Sequence, residues 1–348
     1  MPPKHPIDLL TSDGEKLSFS CARHATVLDA AAEAGIHIPV MCRKGTCGLC
    51  RGQKREGVFN LIAPQWGLSP HENETGALLL CLVRPEGPMT VEVPSTKAHL
   101  LSPPPPVFFC DVASIEDLGG QVRRLVLTAA PDMNGRLNST FDPGQYMDLE
   151  VPGTMGTYRA YSLTNTSNPT GTLEFFIRIQ PGGLFSTWLA DHAGPGDFLR
   201  ARGPSGAFRL RTGSTAPRRL VAGGTGLAPM LSILRDMVER ADTMDTHLFF
   251  GLTRQSELFG LPEIESLIAA LPNLTAHVCI WEPDEDWTGL TGTPVDALRA
   301  QLTQDLAAGL SPDVYLCGPG GMVQAAQQLA AELGLPTEQV VSESFTPA

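Results

Sequence analysis

The chain has no lysine after Lys97, no unbroken apolar run longer than Ala77–Val83, and no internal repeat. A membrane-spanning helix needs about 20 consecutive apolar residues, so no span is expected. The first residues, Met1–Asp8, lack the apolar core of a secretory signal, and a cytoplasmic protein with no membrane partner is expected. Net charge is −12, which argues against nucleic acid as a partner. The missing lysines also divide the chain. Residues 1–99 hold ten basic and ten acidic residues, whereas residues 100–348 hold 15 basic and 27 acidic ones. With 42% apolar and 18% charged residues, the composition is that of a globular chain. At about 150 residues per domain, 348 residues make two or three domains, each able to form a core without disulfides.

The sharpest break is Ser102-Pro-Pro-Pro-Pro106, whose prolines donate no backbone hydrogen bonds and favour a semi-rigid spacer. A second shift falls at the polar, turn-rich Arg211–Pro217. The expected layout is a domain over 1–99, a linker over 100–106, a domain over 107–213 and a domain over 214–348. In the first, Leu17–Cys21 alternates like a strand. Thr26-Val-Leu-Asp29 reads as a capping box opening an alanine-rich helix that stops at Gly35. The second is strand-dominated, with Val122–Leu127, Tyr146–Val151 and Leu173–Ile179 and one short helix near Phe185–Asp191, which suits a small antiparallel β-barrel. In the third, strands and helices alternate from Leu220 to Ser342, the pattern of a parallel α/β sheet covered on both faces. The fold class is therefore multidomain, α+β followed by α/β.

Of eight cysteines, three lie in Cys42-Arg-Lys-Gly45-Thr-Cys47-Gly48-Leu-Cys50, and a fourth follows at Cys81. The spacing C-x4-C-x2-C with a distant fourth cysteine is that of plant-type [2Fe–2S] proteins. Each iron takes two protein thiolates, and one loop can supply three if Gly45 and Gly48 let its backbone wrap the cluster. A zinc site is the main alternative, but zinc sites usually pair two C-x2-C arms and one is present here. Four buried structural thiols are the other alternative. Spacing, glycines and compartment agree on the cluster, so Cys42, Cys47, Cys50 and Cys81 are the expected ligands. Cys21, Cys110 and Cys279 are expected to be core residues.

Two further segments carry ligand chemistry. Tyr158-Arg159-Ala160-Tyr161-Ser162 is followed 21 residues later by Gly183-Leu184-Phe185-Ser186. Arg159 offers a fork for a pyrophosphate, Tyr161 a flat face for an isoalloxazine ring, and Ser162 a hydroxyl near the flavin N5. A helix starting at Gly183–Ser186 would present free N–H groups to phosphate. Further on, strand Leu220–Ala222 runs into Gly223-Gly224-Thr225-Gly226-Leu-Ala-Pro229, a phosphate-approach loop before a helix. It departs from G-x-G-x-x-G because Pro229 occupies the third glycine position. Cys317-Gly318-Pro319 ends a strand where open α/β sheets bind ligands.

Together these motifs resemble the ferredoxin–NADP reductase superfamily, in which R-x-Y-[ST] and G-x-x-S bind FAD and G-G-T-G-x-A-P binds the nicotinamide nucleotide. The resemblance implies a β-grasp-like ferredoxin domain, an FAD barrel touched by Ile177 and Arg178, and a nicotinamide domain. It also implies that Cys317 lies beside the nicotinamide C4, and that the closing Glu343-Ser-Phe345 puts an acid near the nicotinamide and an aromatic ring near the flavin. The module order is similar to the reductase components of bacterial multicomponent oxygenases. The likeness is greatest to soluble methane monooxygenase reductase and its propane and alkene relatives, through Phe141–Leu149, Asn273-Leu-Thr275 and Pro294-Val-Asp-Ala-Leu298.

The implied function is an NADH-dependent reductase, NADPH being the lesser donor, that feeds a separate diiron hydroxylase as a monomer. The chain shows no E-x-x-H pair and no haem motif of its own. Reductases of phenol hydroxylase, ring-hydroxylating dioxygenase or sugar dehydratase systems are alternatives, and so is a ferredoxin-like carrier without reductase activity. In Leu252-Thr-Arg254-Gln-Ser-Glu257, the acid suits a ribose 2′-OH and the arginine a 2′-phosphate. Arg43, Lys44, Arg51, Lys54 and Arg55, with Glu56 the one acid over residues 43–56, are expected to form a basic docking patch beside the cluster.

Overall fold

The computed structural model describes residues 4–345 except residues 41, 42, 47, 103, 104, 133, 136, 138 and 155. It divides into two compact units that part between residues 104 and 105. Among the described residues no helix is long and apolar enough to cross a membrane.

The first unit contains β1 (Lys4–Leu10), β2 (Lys16–Ala22), α1 (Val27–Glu33), β3 (Arg51–Glu56), β4 (Phe59–Leu61), α2 (Pro70–Glu74), β5 (Ala77–Leu79), β6 (Val83–Pro85), β7 (Met89–Glu92) and α3 (Lys97–Leu101). Period-two alternation points Ile7 and Leu9 of β1, and Phe19 and Cys21 of β2, into one core. The hairpin β1–β2 is antiparallel, β7 lies parallel to β1, and the sheet order is β2-β1-β7-β3-β5. Helix α1 covers this sheet with Val27, Leu28, Ala30 and Ala31. Hairpin, helix and central parallel strand make a β-grasp arrangement. The cap of α1 differs from the expected box. Thr26 accepts from the Asp29 N–H at 3.2 Å, but its hydroxyl donates to the Asp29 carboxylate at 2.7 Å. The Asp29 carboxylate takes the hydroxyl rather than the cap N–H, so the reciprocal half of the box is not made. Helix α3 carries ordered chain past residue 99, and Leu100 is buried in the first core.

The second unit opens with β8 (Val107–Asp117), β9 (Val122–Ala129), β10 (Tyr146–Glu150), β11 (Tyr158–Ser162), β12 (Thr172–Arg178), α4 (Leu184–Asp191) and β13 (Phe198–Ser205). The order is β11-β10-β13-β8-β9-β12 with antiparallel pairing throughout. An isolated bridge between Leu163 and Phe175 joins the two edges and closes the barrel. Strands β8 and β13 went unread in the sequence, although Phe108, Cys110 and Val112 alternate inward on β8. On β13, Arg200, Arg202 and Pro204 mask the inward pair Leu199 and Ala201.

The same unit continues with β14 (Arg218–Gly223), α5 (Leu227–Glu239), β15 (Thr246–Arg254), α6 (Leu261–Ala270), β16 (Leu274–Glu282), β17 (Leu290–Thr291), α7 (Pro294–Ala307), β18 (Asp313–Pro319), α8 (Gly320–Glu332) and β19 (Val340–Phe345). All pairs are parallel, in the order β17-β16-β15-β14-β18-β19. Alternation feeds both faces: Leu220 and Ala222 pack with α5 and α6, and Val221 packs with α7 and α8. Arg219, fully buried on β14, makes a two-pronged bond to Asp305 of α7 at 2.7 Å through each nitrogen. Removing one partner of such a pair costs about 3–5 kcal/mol. The sheet runs outward from β14 in one direction through β15 and in the other through β18, so a crevice opens between the carboxyl ends of β14 and β18.

Candidate functional site

In the first unit the loop after α1 leads to Cys50, one residue before β3. Its carbonyl accepts the Leu80 N–H at 2.9 Å, and Arg51 is paired with Leu79, which brings Cys50 beside the chain entering Cys81. Both cysteines are buried. Gly45 and Gly48 have φ of 77° and 72°, values reserved in practice for glycine, so the loop turns where the expected wrapping needs it. Gly67, which the sequence reading passed over, holds this loop. Its N–H donates to the Gly45 carbonyl at 2.7 Å, and a Cβ on it would lie 2.8 Å from the Gly48 nitrogen. No spacing rule points to it, because it lies 17 residues past Cys50. The expected ligands Cys42 and Cys47 lie outside the described residues. Cys21, Cys110 and Cys279 are fully buried, and burial pushes their thiols up to about 11, 12 and 12, as suits inert core positions.

In the second unit the two flavin motifs meet. Tyr161 of β11 packs on Phe185 of α4, ring centres 5.0 Å apart, and Phe185 packs on Trp188 at 5.3 Å. Burial pushes the Tyr161 phenol up, so it stays neutral. Arg159 is half-buried and donates to the Tyr158 carbonyl at 3.0 Å. Among the described residues no carboxylate pairs with it, which leaves a cation for a bound anion. Ala160 and Ser162 occupy the opposite face of the strand, and Ser162 is buried. Gly183 caps α4 without a side-chain bond, so the first N–H groups of that helix stay open. Ser186 does not face outward. Its hydroxyl accepts the Gln180 N–H at 3.1 Å and lies 3.1 and 3.2 Å from the Gln180 and Gly183 carbonyls, clasping the loop into α4. Ile177 and Phe185 are buried in the barrel core, so Ile177 has only backbone to offer a ligand, and Leu184 is exposed. Arg178 reaches across to Glu257 at 3.9 Å, and one of its nitrogens lies 3.5 Å from where a Cβ on Gly224 would stand.

The nicotinamide motifs converge at the crevice. Gly224–Gly226 forms a single tight turn between β14 and α5, and α5 begins without a side-chain cap. A Cβ on Gly226 would overlap the Cys317 carbonyl, and one on Gly318 would lie 2.9 Å from the Gly223 nitrogen. Only side-chain-free backbone lets the two loops approach this closely, which explains how a helix with Pro229 in the third glycine position still seats here. Register places Cys317 opposite Glu343 and Pro319 opposite Phe345. The closing residues are thus part of a strand, Val340–Phe345, that runs past the Ser342 where the expected alternation ends. Thr225, in the turn, is half-buried. Cys317 is fully buried, and burial together with Glu343 holds its thiol well above the ordinary range. Burial also raises the Glu343 carboxyl to about 7, and its Oε2 is buried with no hydrogen-bond partner. An orphaned buried carboxylate oxygen and an unpaired arginine are what a bound nucleotide would satisfy.

Three family models match the chain in order: a 2Fe–2S iron–sulfur cluster binding domain over residues 10–86, an oxidoreductase FAD-binding domain over 110–210, and an oxidoreductase NAD-binding domain over 220–328. Methane monooxygenase component C of Methylosinus trichosporium is 34% identical, over 86% of this chain and 87% of its own length. The ferredoxin–NAD(+) reductase component of the alkene monooxygenase system of Xanthobacter autotrophicus is 35% identical over 94% and 98%. The chain belongs to the reductase components of multicomponent oxygenases. Its fold agrees with the crystal structure of the Amycolatopsis cytochrome P450 reductase GcoB, with a TM-score of 0.73 and 30% identity over 98% of this chain and 99% of that one. It is an NAD(P)H-dependent oxidoreductase with FAD, NAD and 2Fe–2S domains.

Two expectations change once the reductase is folded. The basic patch is largely neutralised by acids distant in sequence: Arg43 pairs with Asp29 at 2.8 Å, Arg51 with Glu72 at 2.6 Å, and Arg55 with Glu92. Lys54 sits over the Phe59 ring at 5.6 Å. Counting acids along residues 43–56 missed those that β7, α1 and α2 bring in. The nucleotide turn also separates its two candidates. Arg254 is held by Glu282 at 3.2 Å, whereas Glu257 accepts the Thr253 N–H at 3.2 Å and faces Arg178.

Proposed function

We propose that the reductase draws hydride from NADH in preference to NADPH and delivers single electrons to the hydroxylase of a separate diiron monooxygenase of the methane, propane or alkene type. We place it in the cytoplasm as a monomer, because each module carries its own site residues within one chain. The first module includes α3 and so runs past the expected end at residue 99, and the other two run over 107–213 and 214–348. The observation that carries the reading is the convergence of Cys317, Glu343 and the Gly224–Gly226 turn in one crevice of the unit that also holds Arg159–Ser162.

When bound, FAD accepts two electrons together and releases them singly, which suits a [2Fe–2S] centre that takes one. Arg159 binds the pyrophosphate, and the open N–H groups at Leu184–Ser186 add to the same anion site. Tyr161 supplies an aromatic wall, and Ser162 a hydroxyl that can give or accept a hydrogen bond. Cys317 and Glu343 line the nicotinamide end. There the buried thiol excludes water, and the carboxyl, poised near neutrality, can hold or release a proton. Phe345 and Pro319 bound the crevice. Cys42, Cys47, Cys50 and Cys81 hold the cluster in the other unit.

The Arg254–Glu282 pair supports the NADH preference. A 2′-phosphate must displace Glu282 and meet Asp284, Glu285 and Asp286 just beyond it, whereas a ribose 2′-OH meets no such opposition. Toluate 1,2-dioxygenase electron transfer component of Pseudomonas putida, 33% identical over 92% of both chains, supports a dioxygenase partner as the second reading. Anaerobic mixing with each nucleotide tests the donor. NADH should exceed NADPH in kcat/KM by about 10-fold or more, and Glu282→Gln should narrow the gap by removing one of the opposing charges. Better use of NADPH contradicts the reading. Electron delivery to a purified diiron hydroxylase, compared with a dioxygenase terminal component, decides between the partners.

A further inference from the structure

Strand β11 passes straight from Ser162 into Leu163-Thr164-Asn165, and α5 leads straight out of Gly224–Gly226. These two continuations are bonded to each other. Ser232 of α5, fully buried, donates to the Asn165 carbonyl at 2.7 Å. Arg235, one turn further on the same helix face, uses a single nitrogen, Nη1. That nitrogen reaches the Thr164 carbonyl at 2.9 Å and the Glu174 carboxylate of β12 at 2.9 Å. The Thr164 hydroxyl, also fully buried, donates to the same carboxylate oxygen at 2.5 Å. Burial alone would raise the Glu174 carboxyl, but Arg235 and Thr164 outweigh it and hold it below the usual range, so it remains charged.

We propose that Arg235, with Ser232, is a positioning residue: a latch through Thr164, Asn165 and Glu174 that fixes the nicotinamide loop against the flavin strand. The inference rests on the reductase reading above and adds to it the part that sets the distance between the two rings. At 1.5 Å rise per residue, Ser232 and Arg235 stand about 9 and 14 Å down the helix from Gly226. Ser232 and Arg235 therefore stand away from the nucleotide-binding turn. The latch acts as the fixed end of a lever whose free end is that turn. A misplacement of about 1 Å at the reacting atoms can cost about 100-fold in rate.

The latch also predicts which substitution rescues. All the Arg235 contacts come from one nitrogen, so a lysine ammonium with its three donors can replace them where alanine cannot. The test uses the full-length, cofactor-loaded protein with Arg235→Ala, Arg235→Lys and Glu174→Gln. Stopped-flow mixing with NADH reads the limiting rate of flavin bleaching, the half-saturating NADH concentration, and the long-wavelength charge-transfer absorbance that marks stacked nicotinamide and flavin rings.

In Arg235→Ala and Glu174→Gln the limiting rate should fall about 10- to 100-fold and the charge-transfer absorbance should weaken. Half-saturation should stay within about threefold, because nucleotide contacts are untouched. Arg235→Lys should recover most of the rate. Amide hydrogen exchange without nucleotide should quicken together in residues 163–165 and 227–230 of Arg235→Ala. This readout does not depend on NADH reducing the flavin, so it separates failure of the latch from failure of the reductase reading. An unchanged rate and charge-transfer signal in Arg235→Ala, or unchanged exchange in both segments, overturns the latch. So does a slow Arg235→Ala with lowered FAD content that lysine fails to rescue, since general loss of structure would then account for it.

Discussion

In the first unit the candidate cluster thiols come from one loop and from the turn between β5 and β6, and their seating depends on a few backbone turns around Gly45, Gly48 and Gly67. In the second unit the candidate hydride site draws on β11, β12, α4, the β14–α5 turn, the end of β18 and β19, brought together by two different sheets. A local site tolerates remote change and fails when one loop residue changes. An assembled site is sensitive wherever two of its segments touch. The two sites also treat charge differently. The arginines near the cluster are paired with carboxylates on the surface, while among the described residues Arg159 has no carboxylate partner and the buried Glu343 Oε2 has no hydrogen-bond partner.

The largest effect should come from the tightest of those contacts. Gly226→Ala drives a Cβ into the Cys317 carbonyl, and backbone on both sides leaves little room to yield. We expect flavin reduction by NADH to slow by about 100-fold or more. The overpacked unit should lose about 1–3 kcal/mol. The iron–sulfur absorbance should remain intact. Stopped-flow spectroscopy with thermal denaturation checks all three, and a near-normal reduction rate would mean that the two loops are less tightly mated than described.

An intermediate effect should follow pH. With the folded carboxyl of Glu343 raised from 4.5 to about 7, the folded state holds this proton more tightly than the unfolded chain. Its contribution to stability is full below about pH 4.5 and is lost as pH rises through about 7. The whole shift is worth roughly 3 kcal/mol. Glu343→Gln should therefore match the parent near pH 5 and melt higher by several degrees near pH 8, since about 1 kcal/mol moves Tm by 2–4 °C in a domain of this size. Parallel melting curves across that range would show that Glu343 titrates normally.

The smallest effect concerns the paired surface. A single-sign patch would accelerate encounter by about 10-fold or more at low salt. Because Asp29, Glu72 and Glu92 offset the arginines, electron delivery to an acceptor protein should change by less than about threefold from 0.1 to 1 M salt, while the Debye length falls from about 10 to 3 Å. A steep fall measured by stopped flow would restore the basic docking face.

Legibility followed the same divide. The cluster spacing and the three-module order could be read from contiguous motifs, and so could the alternation of strands and helices after Leu220. What could not be read was contact between motifs: Gly226 against Cys317, Arg235 against Glu174, Asp29 against Arg43. These pairs lie 14 to 91 residues apart, and nothing in their local strings marks them as neighbours. Ser186 shows the converse. Its motif position points to a ligand, while its hydroxyl is spent on the Gln180–Gly183 loop.

The most direct test of this division is Cys47→Ser, a change in the cluster loop, followed by anaerobic mixing with NADH. The iron–sulfur signal should vanish while the flavin bleaches within about twofold of the parent rate, as expected for sites that share no partners. Flavin reduction lost together with the cluster would contradict the account of one local and one independently assembled site.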